Sequence, residues 1–147
     1  MFSEKLPVVF VTPNSGGRVE RALAEVDDGH ALLTLVNQDD VVDFILEAGA
    51  KGTPMPALVV VESIGDVSIK VIKELRQEAT TRSIPVVVFA DQLDQSRLAS
   101  ALEARANSVV RIPEDETALK DVAGIVRKFW LKFNEVAPPP RPSSIDR

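Results

Sequence analysis

The side chains able to do chemistry are few and scattered. The chain has no cysteine and a single histidine, His30, which excludes thiol catalysis, disulfide frameworks and any site built from several imidazole ligands. What remains is oxygen chemistry. Glu62 closes the apolar run Ala57-Leu58-Val59-Val60-Val61, and Thr12 closes Pro7-Val8-Val9-Phe10-Val11, so a carboxylate and a hydroxyl each stand at the end of a strand-like segment. Beyond Thr12 the turn Pro13-Asn14-Ser15-Gly16-Gly17 invites comparison with a phosphate loop. It matches neither G-x-G-x-x-G nor G-x-x-x-x-G-K-[ST], and no lysine follows Gly17, so its glycines are read as a tight entry into a helix. Acidic residues gather at Asp91 and Asp94 and at Glu114, Asp115 and Glu116, ahead of helical patterns, where capping accounts for them better than metal ligation does. No metal and no cofactor is expected, and His30 reads as a surface residue.

The elements that must position Thr12 and Glu62 are legible from periodicity. Besides the two runs above, Ala31-Leu32-Leu33-Thr34-Leu35-Val36, Pro85-Val86-Val87-Val88-Phe89 and Ser108-Val109-Val110-Arg111-Ile112 are rich in β-branched residues and bounded by turn formers. Three of the five are apolar at nearly every position, the signature of strands buried on both faces of a parallel sheet. Between them the period is helical. Val19, Ala22, Leu23 and Val26 are followed by Gly29. Asp39 or Asp40 precedes Val41, Val42, Ile45 and Leu46, closed by Gly49. Asp66 starts a stretch with Ile69, Ile72 and Leu75 inward, and Leu98, Ala101, Leu102 and Arg105 form a fourth. The fifth is the longest, with Leu119, Val122, Ala123, Val126, Trp130 and Phe133 in one stripe. The predicted architecture is α/β: a doubly wound (βα)5 open parallel sheet in three αβα layers, with right-handed crossovers. Charged groups mark the predicted solvated faces: Arg18, Glu20, Arg21 and Glu25 on the first helix, and Lys70, Lys73, Glu74 and Arg76 on the third.

Composition narrows the setting. The 147 residues suit one domain, read as 1–136, followed by a Pro-rich tail over 137–147 expected to be disordered. Seventeen basic against twenty-two acidic residues give a net charge of −5 with no basic stripe, so nucleic acid is not an expected partner. No apolar run approaches the ~18–20 residues of a membrane span, and the start of the chain lacks the pattern of a secretory signal. A cytoplasmic location without membrane attachment is the expectation.

At the level of whole segments, the chain resembles the receiver domains of two-component response regulators, the CheY-like proteins. The resemblance rests on Val8-Val9-Phe10-Val11 entering a polar turn, Pro56-Ala57-Leu58-Val59-Val60-Val61, Ile84-Pro85-Val86-Val87-Val88-Phe89 and Arg105-Ala106-Asn107-Ser108-Val109-Val110-Arg111-Ile112-Pro113. It covers residues 6–134. The stretch Asp43-Phe44-Ile45-Leu46-Glu47-Ala48-Gly49 and the late Phe129-Trp130-Leu131 are similar to single-domain regulators paired with phytochrome-type kinases. The resemblance implies a bacterial phosphorelay role. It also implies a site in which an acidic pair after the first strand and an Asp ending the third hold Mg²⁺. That Asp takes the phosphoryl group, and a Thr or Ser ending the fourth strand and a Lys ending the fifth bind the phosphoryl oxygens. Such a set suits a hard cation and a reaction that is mostly positioning and charge neutralisation.

This chain departs from that pattern at each place. The acidic pair falls on Thr12 and Pro13, the acceptor on Glu62, the hydroxyl on Ala90 and the lysine on Ile112. Arg111 is one residue away, and strand alternation aims it at the opposite face. Val109 stands where the family's switch aromatic would be, and the Ile112-Pro113 bond aligns with one that is often cis in the family. The expected function is an atypical pseudo-receiver, not an enzyme, that signals by protein contact without taking up phosphate. Two alternatives stay open: a conventional phospho-accepting receiver with Glu62 as acceptor, and a flavodoxin-like module binding a small ligand. Glu62 itself reads either as a mimic of a phosphorylated Asp or as a solvated strand-end carboxylate. The expected partners are a histidine kinase or an output protein. A homodimer through the last helix is a further expectation, because Ala118, Ile125 and Phe129 widen its apolar face and, with Trp130 and Phe133, form a candidate interface.

Overall fold

The computed structural model describes residues 6–12, 17–25, 31–36, 39–62, 66–91 and 94–133. Strands and helices alternate along the chain: β1 (Leu6–Val11), α1 (Arg18–Glu25), β2 (Ala31–Val36), α2 (Val41–Ala50), β3 (Leu58–Glu62), α3 (Asp66–Gln77), β4 (Val86–Ala90), α4 (Gln95–Glu103), β5 (Ser108–Arg111) and α5 (Glu116–Arg127). Helix α5 runs on into a π-helical turn, Lys128–Phe133. All four strand pairings are parallel and the sheet order is β2-β1-β3-β4-β5. This is the doubly wound (βα)5 sheet that the periodicity predicts, with the order reversing beside β1 and the carboxyl ends of β1 and β3 adjacent at the reversal. No helix among the described residues is long and apolar enough to cross a membrane.

Two apolar layers sandwich the sheet, and the alternation of side chains along each strand sorts residues between them. Val9, Val11, Val59, Val61, Val86, Val88 and Ala90 join Val41, Ile45, Ile72 and Leu75 on the side of α2, α3 and α4. Val8, Phe10, Leu58, Val60, Val87, Phe89 and Ile112 join Val19, Ala22, Leu23, Leu119, Ala123 and Val126 on the side of α1 and α5. The central strands β3 and β4 are buried over nearly their whole length, which explains their unbroken valine runs.

Several boundaries differ from the sequence reading for local reasons. Helix α2 passes Gly49, and the reversal falls on Gly52, whose φ of 94° needs a residue without a Cβ. Helix α4 ends at Glu103, and Arg105 lies outside it with a φ of 76°. Asp94 and Asp115 are caps, accepting from the backbone N–H groups of Arg97 and Ala118 at 2.8 Å each. Asp40 precedes α2 without a side-chain capping bond. Gly29, His30 and the tail 137–147 fall outside the described residues.

The largest correction concerns Arg76, expected on the solvated face of α3 but buried. Its Nε donates to Arg105 O (3.0 Å), its Nη1 to Arg82 O (2.9 Å) and Ile84 O (2.7 Å), and its Nη2 to Asn107 Oδ1 (2.8 Å). Asn107 Oδ1 also accepts from the N–H of Val86. One guanidinium thereby satisfies the backbone where α3 ends and β4 and β5 begin. Desolvation, helped by Arg105, lowers its pKa, yet the fixed fork of donors keeps every bond a good one.

Candidate functional site

The carboxyl ends of the strands are where a parallel sheet places its chemistry, and four of the five singled-out pocket positions are described there. Thr12 follows Val11 at the end of β1, and Glu62 is the last residue of β3. Alternation puts both on the α1/α5 side, in line with Phe10 and Val60. They meet: Thr12 Oγ1 donates to Glu62 Oε1 at 2.7 Å across the two strand ends. The carboxylate is half-buried.

Neither of the other two mapped strand-end positions supplies a polar group. Ala90 is fully buried at the end of β4, packed in the α2/α3/α4 layer beside Val109. Its carbonyl accepts from the N–H of Ile112 at 2.9 Å, which holds the end of β5 in place. The Ile112 side chain turns into the α1/α5 layer and is buried. Arg111, paired in register with Ala90, is exposed on the opposite side, as alternation requires. Ile112–Pro113 is trans, since no cis peptide occurs among the described residues. Pro13, the fifth position, lies outside the described residues.

Arg18 is the cation that the sequence reading misplaced. Read as part of the solvated face of α1, it reaches instead across to the loop between β5 and α5. Its Nη2 donates to Pro113 O (2.6 Å) and Glu114 O (2.9 Å), and its Nε pairs with Glu116 Oε2 at 2.7 Å. One turn further along, Lys120 pairs with Glu25 at 2.8 Å, and that bond raises the pKa of the exposed ammonium. Helices α1 and α5 are therefore braced at both ends of α1. Nothing in local periodicity signals this; the single clue is that an arginine at a helix start and an acid at another helix start lie 98 residues apart.

The donor set does not fit a hard divalent ion. Mg²⁺ takes six oxygen ligands and favours carboxylates, whereas β1 offers a neutral hydroxyl followed by proline, and no acid occurs between Thr12 and Arg18. Among the described residues no group of three His, Cys, Asp or Glu side chains is placed to hold a metal. Among the described residues, β4 and β5 end in Ala90 and Ile112, which bring neither a hydroxyl nor a cation toward Glu62.

The apolar residues singled out on the last helix occupy distinct environments. Ile125 is 65% and Phe129 49% exposed. Ala118 is half-buried. Trp130 packs partly against the α1/α5 layer and meets Phe129 edge-on, with ring centroids 5.0 Å apart. The side chain of Phe133 lies outside the described residues.

No protein-family model and no curated protein matches the chain. Solved structures do. The phosphorylated cyanobacterial phytochrome response regulator RcpA superposes with a TM-score of 0.77 at 15% identity, covering 94% of this chain and 100% of its own. The Mn²⁺-bound response regulator Rcp1 gives 0.75 at 16% identity, with 90% and 99% coverage. RPA3017, a response regulator in red light signalling of R. palustris, gives 0.72 at 20% identity, with 92% and 99% coverage. With its strand order, its carboxyl edge and these superpositions together, the chain has the fold of the response-regulator receiver domains.

Proposed function

We propose that this protein is a receiver-type signalling domain of a two-component pathway that works by protein contact and takes up no phosphoryl group. The observation that carries the reading is the 2.7 Å bond between Thr12 and Glu62. It occupies the carboxylate at the acceptor position with a neutral partner, while Ala90 and Ile112 put aliphatic groups where phosphoryl oxygens need a hydroxyl and a positive charge. Transfer of a phosphoryl group depends on positioning and charge neutralisation, and this edge provides neither. The domain catalyses no reaction of its own. Its partner is a protein, a histidine kinase or an output protein, met on the helical surface, in a cytoplasmic setting.

Intact-mass spectrometry after incubation with acetyl phosphate and Mg²⁺ tests the reading. The expected result is an unmodified chain. A phosphoryl adduct that disappears in Glu62→Gln overturns it in favour of a phospho-accepting receiver. Trp130 is a poor reporter for the same question, since about 20 Å of helix at 1.5 Å per residue separates it from the start of α5.

A further inference from the structure

The two edges of the sheet are not alike. β5 is four residues long, ends on the exposed Arg111 and is followed by Ile112-Pro113, a short charged edge of the kind that discourages further pairing. β2, at the other edge, is six residues long, and from Ala31 to Val36 it carries no charge, proline or glycine. Among the described residues β2 pairs only with β1, so its outer row of N–H and C=O groups is met by no strand.

Helix α2 adds an apolar flank to that edge. It is the outermost helix of its layer, touching α3, which in turn touches α4, while β2 ends the sheet. Val42 and Asp43 line a groove with Glu74 and Gln77 of α3. At about 100° per residue, Phe44 and Ala48 therefore lie on the flank turned away from α3, over the free edge. Phe44 is 38% exposed there. Val36 packs in the α2 layer, so alternation puts the half-buried Thr34 on the same side of the sheet as Phe44. Asp40 and Lys51, both exposed, bracket Phe44 along the flank, and Glu47 stands to its solvent side. Because α2 runs back against the direction of β2, Asp40 lies toward the carboxyl end of the strand and Lys51 toward its amino end.

We propose that β2 pairs antiparallel with β2 of a second copy of the chain, about a two-fold axis at Thr34, so that two sheets become one. A row of strand N–H and C=O groups is completed by another strand, not by a helix or a small molecule. A two-fold axis perpendicular to the sheet keeps each face continuous, so residues opposite one another share a face. With the axis at Thr34 the one hydroxyl of the strand faces itself and Leu33 stands opposite Leu35; an axis at Leu33 would set Thr34 against Leu32. The same axis brings the two Phe44 side chains together over the joined edge and turns each Asp40 toward the other copy's Lys51. A parallel pairing would put the two α2 helices on opposite faces and leave each Phe44 exposed, so α2 selects the antiparallel one. The last helix takes no part in this contact, and the pairing is independent of phosphoryl uptake at the carboxyl edge.

Sedimentation velocity of the full chain across a concentration series tests the pairing, with thermal unfolding confirming that each variant is folded. The expected result is a reversible dimer. Phe44→Asp and Thr34→Lys each weaken it by about tenfold or more, and Phe129→Asp leaves it unchanged. The chain has no cysteine, so Thr34→Cys carries a single thiol. Opposed Cα atoms of an antiparallel pair lie about 4.5–5.5 Å apart, within reach of a disulfide. Mild oxidation is expected to join Thr34→Cys into a covalent dimer and to leave Ser96→Cys, exposed on α4, as single chains. A chain monomeric at every concentration, a dimer that persists in both Phe44→Asp and Thr34→Lys, or a dimer lost in Phe129→Asp while Thr34→Cys stays unjoined overturns the proposal. A phosphoryl adduct on a chain that still joins through Thr34→Cys sinks the phosphate-independent reading and leaves the pairing standing; a monomer without adduct does the reverse.

Discussion

At the amino edge of the sheet a buried guanidinium hands its N–H groups to three carbonyls and to Asn107, whose side-chain oxygen also serves Val86. At the carboxyl edge one hydroxyl meets one half-buried carboxylate, and the neighbouring strand ends carry Ala90 and Ile112. Both edges face the same problem of backbone groups emerging from a parallel sheet, and they solve it unequally. The amino edge is tied by one buried and several half-buried polar bonds, costly to break where water is scarce. Among the described residues the carboxyl strand ends carry mainly apolar side chains, with the Thr12–Glu62 bond beside them and the Arg18 brace outside. The difference teaches which of the two edges relies on polar side chains among the described residues. At the described strand ends the Glu62 carboxylate already has the Thr12 hydroxyl as a partner.

The contrast can be broken most forcefully at Arg76. Arg76→Met keeps the aliphatic stem but leaves three carbonyls unserved in a buried place, and unfolding by urea should show a loss of about 3–5 kcal/mol. A loss below about 1 kcal/mol would mean that water replaces the guanidinium and that the two edges are not so different. Arg18→Met probes the brace outside the carboxyl edge. Its side chain is about one-third exposed and its acidic partner more so, so the expected loss is about 1 kcal/mol, accompanied by faster amide exchange over residues 114–117. Smallest is Thr12→Val, which deletes the tie to Glu62 while preserving shape. Because the half-buried carboxylate can turn to water, the same denaturant measurement should register about 0.5–1 kcal/mol. A larger loss would show Glu62 to be held more tightly in place than the burial of its side chain implies.

Much of this molecule was readable before any coordinates. The strand runs were unambiguous because double burial leaves no polar position in β3 and β4, and helix starts at Asp94 and Asp115 were visible because a carboxylate ahead of an apolar period is a cap. Thr12, Glu62, Ala90 and Ile112 stand at strand ends because the apolar runs stop there. What escaped were the long-range polar contacts. Arg18 and Arg76 each occupy a position that a helical wheel assigns to solvent, and a wheel knows nothing of the loop that folds over it.

The sequence by itself determined the α/β class and the alternation of elements, because those depend on residue types at period two or period three-point-six. Tertiary structure alone decided that Thr12 bonds Glu62, that Arg18 spans to the β5–α5 loop and that Arg76 is internal. Each of these joins residues to groups remote in the chain, and local periodicity carries no term for what arrives from elsewhere.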